Sequence, residues 1–264
     1  MISTDAEPTE ERLTERLERR ITRWWPVRPT RFVRSPVISF SFDDFPHSAW
    51  QNGSQILDAA GYHATYYVAS AFAPLQMANT TPFGIIEGTR YFELDDLVEL
   101  HQSDHELACH TANHRRVSRL TTTELQTSLD ANARFLSDLL GEIRLDSFAY
   151  PQGVVNLRTK WLCTRRFVSC RGTVPGLNTG WFDLGQLKAV ALDRDFSIEG
   201  DLEFYLDQLK KHGGWLIFYG HDVESAPSQW GCTPETLAAV VQKVAQSGIA
   251  VESVGRVAQA FYPA

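Results

Sequence analysis

Apolar residues along this chain follow two periods. Leu13, Leu17, Ile21 and Trp24 recur at three-to-four spacing, which predicts an amphipathic helix ending before Pro26. Its apolar stripe is expected to pack against the body of the protein or against a second copy of the chain, as a homo-oligomer. A membrane-surface role is the weaker reading, because the run Glu10 to Arg23 carries both signs and reads as a solvated helix face. A proline-punctuated stretch, VRPTRFVRSP, follows as a linker. Residues 1–30 are therefore read as a helix with its linker, and 31–264 as one large domain.

From Val37 onward the pattern changes. Val37 to Phe42 reads as a strand, Ser48 to Ala60 as a helix closed by Gly61, and His63 to Ala69 as a second strand. Ser70 to Phe92, with Pro74, Pro82, Gly84 and Gly88, has no period; a loop that long in a compact domain is usually functional. Alternation then resumes. Glu93 to Gln102 predicts a helix and Glu106 to His110 a strand. Thr121 to Leu140 predicts a longer helix, with Thr121 and Glu124 spaced as a capping box. Further strands are expected at Ser147–Tyr150, Phe167–Cys170, Leu187–Leu192, Trp215–Tyr219 and Ile249–Val254, between helices near 156–166, 199–212 and 233–247. Strands alternating with helices indicate α/β with a parallel sheet, and about seven such units favour a distorted (β/α) barrel over an open sheet.

Composition narrows the function more than the fold. At 264 residues and 43% hydrophobic content the chain can bury a full core. Seven Trp, eight Tyr and fifteen Phe exceed what a plain scaffold needs, and a carbohydrate-facing cleft would use those the core does not. A net charge of −7 argues against a nucleic-acid partner. The opening MISTDAEPTEERL is acidic and polar, unlike a signal peptide, and no apolar run is long enough to span a bilayer, so the chain is expected in the cytoplasm with no transmembrane segment. Cys109, Cys163, Cys170 and Cys232 form no CxxC pair and are expected to be reduced, mostly buried thiols.

Three clusters at predicted strand ends carry the candidate chemistry. Asp43 and Asp44 follow an apolar strand, where two carboxylates are costly without partners. On an extended backbone they would point opposite ways, so that one could bind a metal while the other served as a base; a turn or a helix cap would also use them. His110 and His114 can converge on one ion from one helix face or across a tight turn; Asn113 favours the turn, and a chance pair of structural histidines fits as well. With a carboxylate from another strand end the set leaves coordination positions open, as catalysis requires. Third, Trp215 to Gly220 ends in His221-Asp222. His221 there is either structural or, beside a metal, a general acid with a pKa near working pH.

Together and in this order the clusters resemble the polysaccharide deacetylase (NodB-homology) family, carbohydrate esterase family 4. Ser41-Phe42-Asp43-Asp44 is similar to its first motif, His110-Thr111-Ala112-Asn113-His114 to its second, and Leu216 to Asp222 to its last, a likeness spanning about residues 37 to 255. The resemblance implies a distorted (β/α) barrel that removes acetyl groups from N-acetylated sugars. It also implies that Asp44, His110 and His114 hold a divalent metal, usually zinc, with Asp43 as general base and His221 as general acid. Tyr150, Gln152, Thr111 and Arg171 are the candidates for holding the oxyanion or substrate. Thr111 could equally bond backbone at the strand end.

Two positions depart from the family pattern. Where the family has F-R-x-P-Y-G, this chain has Phe148-Ala149-Tyr150-Pro151-Gln152-Gly153. The arginine that braces the base is thus Ala149, and Arg171 is the expected replacement. The aromatic whose N–H supports the oxyanion is Gln152, and a backbone donor survives that change. The family's Asp-Trp element is expected near Trp181-Phe182-Asp183. The altered third motif keeps open a C–N hydrolase acting on a small cyclic amide or ureide, and a non-catalytic carbohydrate-binding relative is a third option. A mononuclear iron oxygenase shares the two-His, one-carboxylate set but generally sits on antiparallel strands, against the alternation here.

Overall fold

The computed structural model describes residues 13–31, 35–79 and 81–261. The acidic leader 1–12, part of the linker (32–34) and Thr80 lie outside the described residues. The elements run α1 (Leu13–Trp24), β1 (Pro29–Arg31), β2 (Val37–Asp43), α2 (Gln55–Asp58), β3 (Thr65–Val68), α3 (Pro74–Asn79), α4 (Leu94–Gln102), β4 (Glu106–Cys109) and α5 (Thr122–Leu140). They continue with β5 (Ser147–Ala149), α6 (Leu157–Thr164), β6 (Ser169–Arg171), β7 (Trp181–Asp183), β8 (Val190–Ala191), α7 (Glu203–His212), β9 (Trp215–Gly220), α8 (Pro234–Ser247), β10 (Ala250–Val251) and α9 (Val254–Gln259).

Seven parallel strands, in the order β6-β5-β4-β3-β2-β9-β8, curl into a half-barrel, and β10 pairs with the start of β2. A parallel bridge from Arg171 to Leu187, just before β8, ties the two edges together. Such strands are covered on both faces, so β2 is buried along its whole length. Its even positions, Ile38, Phe40 and Phe42, join the outer core against the helices. Its odd positions lie on the inner face, where Ser41 donates to the Phe218 carbonyl (2.8 Å) and Ser39 accepts from the Trp215 indole (2.9 Å). Asp43 is the last of that inward row. By the same alternation Tyr67, Ala108, Ala149 and Arg171 face inward, while Phe148 and Cys170 join a separate core cluster.

The capping box on α5 forms as expected, with Glu124 N–H on Thr121 Oγ1 and Thr121 N–H on Glu124 Oε2. Other expectations change. Residues 48–60 make a π-helical turn (Ala49–Ser54) before a short α2; Gly53 sits there because a Cβ would come within 3.2 Å of the Phe42 ring. The linker contributes β1, which pairs antiparallel with β7, and α1 is anchored by Lys160 Nζ, which donates to the Thr22 and Trp25 carbonyls (both 2.9 Å). Leu17, Ile21 and Trp24 face outward and do not pack on the body of the protein, while the side chain of Leu13 lies outside the described residues. All four cysteines are free and buried. No helix among the described residues is long and apolar enough to cross a membrane.

Candidate metal centre

Asp43 and Asp44 diverge for a reason the extended-backbone argument did not contain. β2 ends at Asp43, and Asp44 has φ +63°, so the chain turns sharply between them. Both carboxylates consequently serve one site. Five non-glycine residues of the described chain have positive φ: Asp44, Phe45, Thr111, His114 and Gln152. Four of them are predicted site residues and the fifth adjoins Asp44. Such strain persists only where surroundings enforce it, and it concentrates at functional sites.

The His110–His114 turn is pinned from outside. Ser128 on α5 accepts from Ala112 N–H (3.0 Å) and donates to Asn113 Oδ1 (3.1 Å). Thr111 Oγ1 accepts from His114 N–H (3.1 Å), the backbone role of its two readings. His110 Nδ1 lies 2.9 Å from the Ala149 carbonyl and His114 Nδ1 2.8 Å from that of Phe83. A carbonyl only accepts, so each Nδ1 carries a proton, and in the neutral ring Nε2 is the nitrogen with the lone pair. Both Nε2 atoms face Asp44 Oδ1, at 3.5 and 3.2 Å. Burial pushes His110 down to about 4, against the pull of Asp43. Asp44 Oδ1 is buried without a hydrogen-bond partner. One carboxylate and two imidazole Nε2 atoms converging in a buried pocket form a donor set that could hold a divalent transition metal.

A second group, Asp58, His63 and His105, also brings its ligand atoms together, at the opposite ends of the strands. It fails the same test. Ala64 N–H donates to His105 Nδ1 (2.8 Å), which leaves the proton on Nε2, facing Asp58 at 3.0 Å. A protonated nitrogen is no ligand.

Arg171 answers the missing arginine. Ala149 and Arg171 are register partners on β5 and β6, both facing inward, and the small Ala149 leaves room for the guanidinium. Arg171 Nη2 pairs with Asp43 Oδ1, between the rings of Tyr67 (4.8 Å) and Tyr219 (4.9 Å). Burial alone would raise the Asp43 carboxyl; Arg171, with His110 and His221, outweighs it and holds Asp43 below its ordinary value. His221, 15% exposed against 2% for Asp44, marks the mouth of the site, its Nε2 3.9 Å from Asp44 Oδ2. Its Nδ1 lies 3.3 Å from the Trp230 carbonyl, which leaves Nε2 as the ring nitrogen on the Asp44 side.

Two expected positions change. Tyr150 points away from the site: its ring packs on Phe148 and its hydroxyl donates to the Gly185 carbonyl (2.8 Å), because alternation from the inward Ala149 turns it outward. Asp183 does not reach the site either; it ties down the N-terminal segment, accepting from Val27 N–H, Arg28 N–H and Lys160. The side chain of Gln152 accepts from Arg116 Nε at the rim. Residues outside the motifs also take part. Phe83 and Gly84, in the long aperiodic stretch, rest on His114, and Gly84 has φ +73° with a Cβ position only 2.9 Å from His114 Nδ1. The signal was present, since an unexplained loop with two glycines is where close backbone approach is expected.

Residues 31–165, just over half of the chain, match the family model described as polysaccharide deacetylase. No curated protein matches the chain. Solved structures share the fold at low identity. One is a putative polysaccharide deacetylase from Mycobacterium smegmatis (14% identity, TM-score 0.59, covering 90% of this chain and 94% of that one). Another is a family 4 carbohydrate esterase from Bacillus anthracis (13%, TM-score 0.57, 95% and 94%). A third is a family 4 pseudoenzyme, also from Bacillus anthracis (14%, TM-score 0.57, 89% and 69%).

Proposed function

The chain belongs to the polysaccharide deacetylase family, and on that premise we propose that it is a metal-dependent hydrolase removing N-acetyl groups from an amino-sugar-containing oligo- or polysaccharide. The observation that carries the reading is the buried convergence of Asp44, His110 and His114 beside an ionised Asp43. These three residues would hold a divalent cation, for which zinc suits the donor set. When bound, such an ion polarises the acyl carbonyl and makes water more acidic.

The chain's own residues do the rest. Asp43, oriented by Arg171, accepts the proton of the attacking water. His221 delivers a proton through Nε2 to the departing amine, its ring fixed by the Trp230 carbonyl. The backbone N–H of Gln152 would support the developing oxyanion. Retention of base, acid and ligand set together argues against a non-catalytic relative. A second reading, hydrolysis of a small cyclic amide or ureide, is favoured by the altered third motif alone. Acetate release across chitin oligomers, peptidoglycan fragments and lipid-linked amino sugars tests the proposal. Turnover of cyclic amides with no acetate from any glycan would replace it with the second reading.

Two further outcomes are expected. Because disturbing the groups that orient a metal-binding histidine typically changes metal affinity by roughly 10–100-fold, Gly84→Ala should weaken zinc binding on that scale in a chelator competition. Gly88→Ala is the control: its φ is +81° but nothing lies within 4 Å of its Cβ position. Equal affinity in both variants would detach the loop from the metal centre. Arg171→Ala leaves a buried carboxylate unpaired, and breaking a buried pair costs about 3–5 kcal/mol, read as a lower denaturation midpoint. Adding Ala149→Arg, its inward register partner, should restore part of both stability and turnover.

A further inference from the structure

The most anomalous surface of the molecule lies around α1, and the site does not use it. Leu17 (61% exposed), Ile21 (48%), Trp24 (86%) and Trp25 (65%) share one outward stripe, while Thr22 is buried and only backbone carbonyls of the helix meet Lys160. Trp161 and Trp181, also exposed, line a groove beside it with Arg31 and Arg165. Lys160, the neighbour of Trp161 in sequence, bonds the Trp25 carbonyl at the end of α1, and Trp181 is the register partner of Arg31, so the groove adjoins the end of the α1 stripe. Single exposed apolar residues are ordinary, but a contiguous apolar face on a soluble domain marks an interaction surface.

Charge selects the occupant. Residues 12–34 contain eight arginines and two glutamates, a net of +6 in a chain of net −7, with Arg28 engaged by the Thr164, Phe167 and Val168 carbonyls. Arg20 and Arg31 are exposed on this face. A two-fold contact between two copies would oppose like-charged segments and gain nothing from the arginines. A nucleic acid would use the arginines but give Leu17 and Ile21 no apolar partner. An anionic lipid surface satisfies both at once: arginines meet headgroups, tryptophans seat at the polar–apolar boundary, and Leu17 and Ile21 enter it. The mixed signs within Glu10 to Arg23, which weakened this reading in the sequence, are outweighed once the helix is taken with the arginines that follow it.

We propose that α1 and the adjoining Trp161–Trp181 groove form a docking face for membranes rich in anionic lipid, so that the protein works as a peripheral membrane protein. The test is co-sedimentation of the full chain with phosphatidylcholine vesicles, with and without about one third phosphatidylglycerol. Binding is expected only to the anionic vesicles. It should weaken as salt rises from 0.1 to 1 M, where the screening length shrinks from about 10 to 3 Å. Trp24→Ser/Trp25→Ser and Leu17→Ser/Ile21→Ser should each lower partitioning at least tenfold, and Arg20→Glu/Arg31→Glu should remove the preference for phosphatidylglycerol. Absence of binding to either vesicle, or equal salt-independent binding to both, would overturn the proposal. So would a dimer in light scattering that the same apolar substitutions dissociate, which would assign the face to a second copy. Acetate release from a soluble substrate should be unchanged in these variants, so failure here and failure of the deacetylase reading are separable.

Discussion

Asp43→Asn is expected to keep its metal and lose turnover by roughly 10²–10⁴-fold, the range a positioned general base supplies. The substitution preserves shape and removes only the capacity to take a proton. Arg171 would then face a neutral amide, so some loss of stability accompanies it, and metal content must be measured on the same folded preparation. The expected pattern is a fall in kcat with zinc stoichiometry intact. Unchanged hydrolysis would remove Asp43 from the base role and leave its pairing with Arg171 purely structural.

Asp44→Ala and His114→Ala should abolish tight metal binding. Asp44 Oδ1 is the point on which both Nε2 atoms converge, so its removal leaves two imidazoles without a charge to complete the set. Removing His114 also frees the Phe83 carbonyl and loosens the loop above it. Elemental analysis of purified protein is the readout: about one divalent ion per chain in the parent, and little in either variant. Retention of metal by both variants would refute the ligand assignment. An Asp58→Ala variant should retain its metal, since His105 already carries its proton on the nitrogen that faces Asp58.

Much of this was legible in the sequence because its parts obey short-range rules. Strand β9 is a continuous apolar run and β2 an apolar one interrupted only by the inward Ser39 and Ser41, as parallel strands covered on both faces are, and their polar terminators Asp43-Asp44 and His221-Asp222 mark the ends where the candidate site lies. What was not legible depends on register or on backbone strain. Arg171 could be suspected as the replacement for an arginine missing at Ala149, but only the β5–β6 pairing places the two side by side. The divergence of Asp43 and Asp44 rests on the positive φ of Asp44, which periodicity does not reveal. Tyr150 is the instructive miss, because a period-2 count from an inward Ala149 already turns it outward. The three-residue strands β1 and β7 are too short for any period to show. Nor does an amphipathic helix announce which way its stripe faces; Leu17 and Trp24 look like core residues in the sequence and stand in solvent in the fold.

Metal-dependent deacetylation is tested most directly by acetate release from an N-acetylated oligosaccharide by one preparation measured as purified, after metal stripping, and after reloading with zinc. Release is expected in the first state, loss in the second and recovery in the third, with Asp44→Ala inactive throughout. Release that survives complete stripping, or reloaded protein that frees no acetate from any N-acetylated glycan, would contradict it.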